Sequence, residues 1–154
     1  MSPPRIRAAR AGDVPALALL IEQYWSFERI GGFELERMQT LLRQALSLGD
    51  RVQCWLAQSD REVCGYLIAV LMFSLEHGGM MAEIDEFFVA PAFRNSGIGA
   101  ALLSRAEASL KRKGVRRLQL QLGSGNVQAR AFYASRGYQP RSSFELWDKA
   151  LHRA

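Results

Sequence analysis

Residues Ile84 to Leu103 read IDEFFVAPAFRNSGIGAALL. An apolar strand pattern breaks at Pro91, passes through Arg94-x-x-Gly97-x-Gly99 and becomes an Ala/Leu-rich helix. The junction suits an anion. Gly97 and Gly99 have no Cβ, so backbone N–H groups there can turn outward and meet a diphosphate closely, while the following helix offers its positive end. Arg94 adds a cation at the rim. A plain strand-to-helix turn would need the same glycines, so the flanking sequence has to decide between the two.

Two other phosphate loops fail on inspection. A dinucleotide-binding fingerprint needs a third glycine where Leu102 stands, and an acidic residue closing the next strand; GVRRLQLQLGSG (114–125) ends in serine and glycine instead. A Walker loop needs Gly-Lys-Ser/Thr, which the sequence lacks. A second constellation lies downstream, where Asn126-x-x-Ala129-x-x-Phe132-Tyr133-x-x-x-Gly137-Tyr138 occupies one short helix and its exit.

Together the two motifs resemble the GNAT superfamily of acetyl-CoA-dependent N-acetyltransferases, closely over residues 82 to 140 and in outline elsewhere. The resemblance implies that Arg94, Asn95, Ser96, Gly97, Ile98 and Gly99 grip the diphosphate of CoA, and that the helix carrying Asn126 and Tyr133 lies beside the pantetheine arm. Asn95 and Ser96 depart from the commoner small or basic loop residues. The implied fold is α+β, a mixed and mostly antiparallel central sheet with helices on both faces. In that fold the sheet splays between the strand of Phe87, Phe88 and Val89 and the strand of Leu118 to Leu122, and acetyl-CoA enters the cleft.

Size and composition agree with one catalytic domain spanning 1–154. A chain of 154 residues with 49% hydrophobic content can bury a core but has no length for a second. MSPPRIRAAR has no apolar targeting core, and the longest apolar run, YLIAVLMF (66–73), is far short of the ~20 residues of a membrane helix. A cytoplasmic protein without membrane contact is expected. Cys54 and Cys64 lie in apolar strand patterns without Cys-x-x-Cys spacing, so buried free thiols are expected and no metal is implied. The net charge is +5, and the excess sits in residues 78–154, with 12 Arg/Lys against 6 Asp/Glu. KRKGVRR (111–117) is read as cations closing a helix at Gly114 in preference to a nucleic-acid patch. A milder role is attraction of polyanionic CoA.

Along the chain, IRAA (6–9) is a strand, Asp13 N-caps a helix carrying Leu17, Leu20, Ile21 and Tyr24, and Gly31-Gly32 interrupts it. A second helix carries Leu35, Met38, Leu41, Leu42, Ala45 and Leu46 and ends at Gly49. RVQCWLAQ (51–58) and EVCGYLIAVLMF (62–73) form a hairpin around Ser59-Asp60-Arg61. The loop SLEHGGM precedes strand AEIDEFFV (82–89). A helix spans 98–113, RRLQLQL (116–122) alternates as a strand, a helix spans 126–136, and FELWDKAL (144–151) is read as a last strand.

Acetyl transfer to an amine needs a neutral amine, a stabilised oxyanion and a protonated leaving thiolate. The resemblance makes Tyr133 the general acid toward the CoA sulfur, and a phenol of pKa roughly 10 is suited to that. The alternative is an aromatic packing beside Phe132. A backbone N–H on the strand of Phe87 to Val89 would stabilise the oxyanion.

Glu83, Asp85 and Glu86 interrupt an apolar strand. Mutual repulsion should raise at least one of their pKa values unless a cation binds there. By resemblance Glu83 falls where histone-type relatives keep a base, and Asp85 and Glu86 where polyamine acetyltransferases keep an acidic pair. Salt bridges to Arg on neighbouring strands are the plainer alternative for each. Trp25, Phe27 and Glu28, with Tyr24 and Phe33, flank the Gly-Gly break where the family builds its acceptor wall; His77 could also reach the site or simply be solvated.

The expected activity is direct acetyl transfer in a ternary complex to a small amine, polyamine or aminoglycoside-like acceptor. A protein N-terminus or lysine is the alternative acceptor. A non-catalytic acyl-CoA-binding or nucleic-acid-binding module is the alternative of another class. A homodimer stays open, and nucleic acid is not among the expected partners.

Overall fold

The computed structural model describes residues 3–152, and among them no helix is long and apolar enough to cross a membrane. The chain divides into two compact units, residues 1–120 and 121–154. The first unit holds a five-stranded sheet in the order β1 (Arg5–Ala8), β2 (Val52–Ser59), β3 (Glu62–Ser74), β4 (Gly79–Val89) and β5 (Leu118–Leu120). The first three pairings are antiparallel, and β4–β5 is parallel. Helices α1 (Val14–Phe27) and α2 (Leu35–Ser47) lie between β1 and β2, and α3 (Ile98–Arg112) makes the crossover that a parallel pair requires.

Strand alternation sorts the core into two layers. Cys54 and Leu56 of β2 face Ile68 and Tyr66 of β3, and Tyr66 faces Phe88 of β4, so these residues share one side of the sheet. They are buried against Val14, Leu17, Ala18, Leu20 and Ile21 of α1 and Met38 and Leu42 of α2. Alternating positions such as Trp55 and Leu67 point the other way, to α3, whose Ile98, Leu102, Leu103, Ala106 and Leu110 are buried at helical spacing. Gly65 marks how closely that helix approaches: a Cβ there would lie 3.1 Å from Leu102 Cδ1 and 3.2 Å from the Phe88 carbonyl oxygen. The sheet with helices on both faces is the one expected, and Cys54 and Cys64 are buried free thiols.

Several boundaries differ from the sequence reading. The expected loop at 74–80 shrinks to a turn, because β3 runs on to Ser74 and β4 begins at Gly79, pairing Phe73 with Met80 and Ser74 with Gly79. β5 keeps only Leu118–Leu120 of the expected 116–122, since its ladder faces only Ala82, Glu83 and Ile84. Asp13 stands at the N-cap position of α1 without capping it. Its carboxylate is drawn instead into a two-pronged ion pair with Arg7, 2.8 Å on each side, and accepts from the Arg10 amide at 2.7 Å. These contacts hold its pKa below the usual carboxylate range.

In the second unit α4 (Val127–Ala134) forms as expected, whereas Phe144 to Leu151 is not a strand. Its alternation fails at adjacent Leu146 and Trp147, which are 73% and 86% exposed, and no ladder supplies hydrogen-bond partners.

Candidate functional site

At the end of β4 the chain turns through Pro91–Phe93, and Asn95 and Gly97 then take left-handed conformations, φ 59° and 82°. The Ser96 hydroxyl donates to the Phe93 carbonyl and steadies the turn. The first helical bond of α3 runs from Ala101 N–H to Gly97 O at 3.0 Å, so the Ile98, Gly99 and Ala100 amides precede any i−4 acceptor inside the helix. No side chain caps this end, and nothing lies within 4 Å of the space a Gly97 Cβ would occupy. Outward amides, an open approach and a 15-residue helix behind them fit a diphosphate. Arg94, expected at the rim, lies elsewhere in this structure: its Nε donates to the Val89 carbonyl at 2.9 Å, and its guanidinium stands over the rings of Phe27 (4.9 Å) and Phe88 (5.2 Å).

The acids of β4 sit on a β-bulge. Against β3, Glu86 faces Ile68 but Ile84 faces Ala69, so Asp85 is the extra residue. In a regular strand Glu83 and Glu86, three apart, would point to opposite faces. The bulge shifts the register by one, putting Glu83, opposite Val70, on the same face as Glu86 and Phe88.

Asp85 is exposed, and its pKa is raised, first by desolvation and then by the charge of Glu83. Glu86 is half-buried and also raised, chiefly by desolvation with a lesser push from Asp85; two hydrogen bonds oppose this, from Trp25 Nε1 to Oε1 at 2.7 Å and from Tyr66 OH to Oε2 at 2.9 Å. Mutual repulsion, the expected cause, is thus secondary to desolvation. Among the described residues neither Asp85 nor Glu86 forms the salt bridge that was the alternative. Glu83 accepts from Gln119 Nε2 at 2.8 Å.

The last turn of α1 faces these acids. Tyr24 packs on Phe88 at 5.5 Å, and its pKa is pushed up to about 12 by burial and then by Glu28, Glu86 and Asp85. Trp25 meets Phe33 edge-on at 5.8 Å, Phe27 is 59% exposed and 6.3 Å from Phe88, and Glu28 is exposed. The structure therefore brings the expected acceptor-wall residues to the acidic face of β4. Tyr66 was missed because a tyrosine inside YLIAVLMF reads as core; the available signal was that a buried phenol needs a partner for its hydroxyl. His77 lies in the turn before β4, whose first residue, Gly79, is roughly 13 Å along the strand from Glu83 at ~3.3 Å per residue.

Phe87, Phe88 and Val89 follow the bulge, beyond the three-residue ladder between β4 and β5. In the second unit, Asn126 is the N-cap of α4, its side chain accepting from the Ala129 amide at 3.1 Å. Tyr133 is buried between Phe132 (5.2 Å) and Tyr138 (5.4 Å), with edge-on ring contacts to both.

Comparison with known proteins bears on this geometry. Residues 17–138 match the acetyltransferase (GNAT) family. The uncharacterized N-acetyltransferase YhfO of Bacillus subtilis is 30% identical over 139 residues, covering 90% of this chain and 92% of that protein. The aminoalkylphosphonate N-acetyltransferase of Salmonella typhimurium is 32% identical over 104 residues, 68% of this chain and 66% of the relative. Among solved structures, AAC(6')-Iy in complex with the bisubstrate analog CoA-S-monomethyl-acetylneamine superposes with a TM-score of 0.83 over 97% of this chain and 99% of that one, at 18% identity, a likeness of fold. With a family match across both motifs and a relative aligned over nine-tenths of both chains, the chain belongs to the GNAT acetyltransferase family and is an N-acetyltransferase.

Proposed function

We propose that this enzyme moves an acetyl group from acetyl-CoA to the primary amine of a small cationic molecule, by direct attack in a ternary complex. The observation that carries the acceptor class is the bulge of β4. It exposes Asp85 between Glu83 and Glu86, opposite the aromatic last turn of α1, with no Arg or Lys ion-paired to Asp85 or Glu86 among the described residues. Carboxylates beside aromatic faces suit an ammonium group. The aminoalkylphosphonate N-acetyltransferase named above supports small-molecule amines as the class.

In this reading the chain, 1–154, works as a single acetyltransferase domain. Gly97, Ile98, Gly99 and Ala100 hold the diphosphate of CoA through backbone amides, with Arg94, Asn95 and Ser96 at the loop. Bound acetyl-CoA supplies a thioester carbonyl open to attack by nitrogen. Asp85 draws in the ammonium and takes its proton at the carboxylate, with Glu83 beside it. Backbone N–H groups on the strand of Phe87 to Val89 stabilise the negative charge that develops on the carbonyl oxygen. Tyr133 gives its hydroxyl proton to the departing sulfur, its phenolate regains a proton as the acetylated nitrogen sheds its own, and Asn126 holds the start of its helix.

The experiment is a panel of polyamines, aminoglycosides, aminoalkylphosphonates and peptides, with CoA thiol release followed for each. Release with small cationic amines and none with peptides is expected. Release with peptides alone would replace the small-molecule acceptor by a protein one.

A further inference from the structure

Glu86 accepts from two neutral donors, one on each oxygen: the indole N–H of Trp25 and the hydroxyl of Tyr66. Tyr66 is 0% exposed, and its ring packs in the core beside Phe88. Packing alone asks for none of this. A phenylalanine would fill the place of Tyr66, and an aliphatic side chain would fill that of Glu86 without desolvating a carboxylate next to Asp85. A half-buried acid held by two neutral donors instead fixes a geometry, because each hydrogen bond tolerates only a narrow range of directions.

What is fixed can be read from the chain. Trp25 lies in the last turn of α1, where its carbonyl also accepts from the Ile30 amide at 2.8 Å. That turn carries Tyr24 and Phe27 toward Phe88 and ends at Glu28. At the other end of the link, Glu86 directly follows Asp85, the extra residue of the bulge. One carboxylate thus joins the aromatic wall to the strand segment that presents the open acid.

We propose that Glu86 is a positioning residue: through Trp25 and Tyr66 it holds the last turn of α1 in register with the Asp85 bulge, and so sets the approach of the acceptor without touching it. This rests on the reading of that face as the acceptor site.

The test has two readouts. The first needs no acceptor: hydrogen exchange of the Trp25 indole N–H, followed by ¹⁵N NMR and assigned by its loss in Trp25→Phe. Exchange should be slow in the wild type, and at least roughly tenfold faster in Glu86→Leu, as expected for losing a hydrogen bond to a charged group. Glu86→Gln, which keeps an oxygen for the indole, should retain most of the protection. The second readout is kinetic, with the best amine of the panel. Glu86→Leu should raise the acceptor KM roughly tenfold or more and leave the acetyl-CoA KM unchanged; Glu86→Gln should rescue most of that loss, and Trp25→Phe should add little to Glu86→Leu.

If Glu86 met the acceptor cation directly, Glu86→Gln would be as damaging as Glu86→Leu, and the proposal would be overturned. Fast indole exchange in the wild type would overturn it too, while leaving the acetyltransferase reading intact. A protected indole in an enzyme that acetylates no small amine would fault the acceptor reading, and with it the positioning role. Should Glu86→Leu not fold, Tyr66→Phe removes one anchor of the carboxylate and should still speed indole exchange and raise the acceptor KM; no change in either would contradict the proposal.

Discussion

Asp85 and Glu86 are adjacent in sequence, yet one is open to solvent and the other is clasped by two donors. For Asp85 the consequence is a pH dependence. Its pKa is raised above the ordinary 3.8, by desolvation first and by Glu83 second. A carboxylate takes up a proton only when ionised, so kcat/KM for the amine should climb with pH along an acid limb lying above that value. Glu83→Gln removes a like charge, lowers the Asp85 pKa and should move the limb to lower pH. An unmoved limb would show that Asp85 is not the titrating group.

Tyr133 gives a second prediction at this scale. Tyr133→Phe keeps the ring between Phe132 and Tyr138 and removes only the hydroxyl. If that hydroxyl is the acid, kcat should fall by roughly 10²–10⁴ while acetyl-CoA affinity stays unchanged; single-turnover rates would check it, and a wild-type rate would make Tyr133 a packing residue. The sequence displays the three acids of β4 as residue types. Their division of roles is invisible there, because it depends on a bulge that period-two alternation does not announce, and on a tyrosine hidden in an apolar run.

The strand–turn–helix at 84–103 is the element that sequence reads best, since the requirement is local: positive φ at Gly97 and free amides at the start of α3. Gly97→Val places a branched Cβ where an anion would approach, and strains a left-handed position by about 1–3 kcal/mol. CoA binding by calorimetry should weaken at least roughly tenfold in a protein that still melts cooperatively. Unchanged affinity in a folded Gly97→Val protein would remove the loop from the binding site.

Gly65 tests the packing of α3 on the sheet. An added Cβ meets both a movable Leu102 methyl and the fixed Phe88 carbonyl, so Gly65→Ala should cost about 1–3 kcal/mol in chemical denaturation. An unchanged midpoint would mean that both α3 and the β3–β4 pairing give way to the extra methyl at no cost. Elements whose pattern depends on a partner were read less well. RRLQLQL shrinks to three residues because only three face a ladder, FELWDKAL has no ladder, and the Asp13 carboxylate goes to Arg7, 6 residues back, rather than to its own helix end.

At the scale of the molecule, the order of motifs along the chain carries the family, and the sheet with helices on both faces follows from alternation and helical spacing. The proposed acceptor face is not legible in that way; its residues entered through the family resemblance, not through alternation. It combines the end of α1 with the bulge of β4, separated by 61 residues between Trp25 and Glu86, and only the folded sheet brings them together. The basic excess of residues 78–154 is opposite in sign to this acidic cluster and matches an anionic co-substrate better than a cationic acceptor. Both halves of the account meet in one reaction. The purified enzyme is mixed with acetyl-CoA, with and without a small cationic amine, and free CoA, N-acetylated amine and the mass of the intact protein are measured together. The account predicts CoA and acetylated amine in equal amounts, only when the amine is present, with no acetyl group on the protein. CoA release without amine, or an acetylated protein that forms first and then transfers, would contradict it.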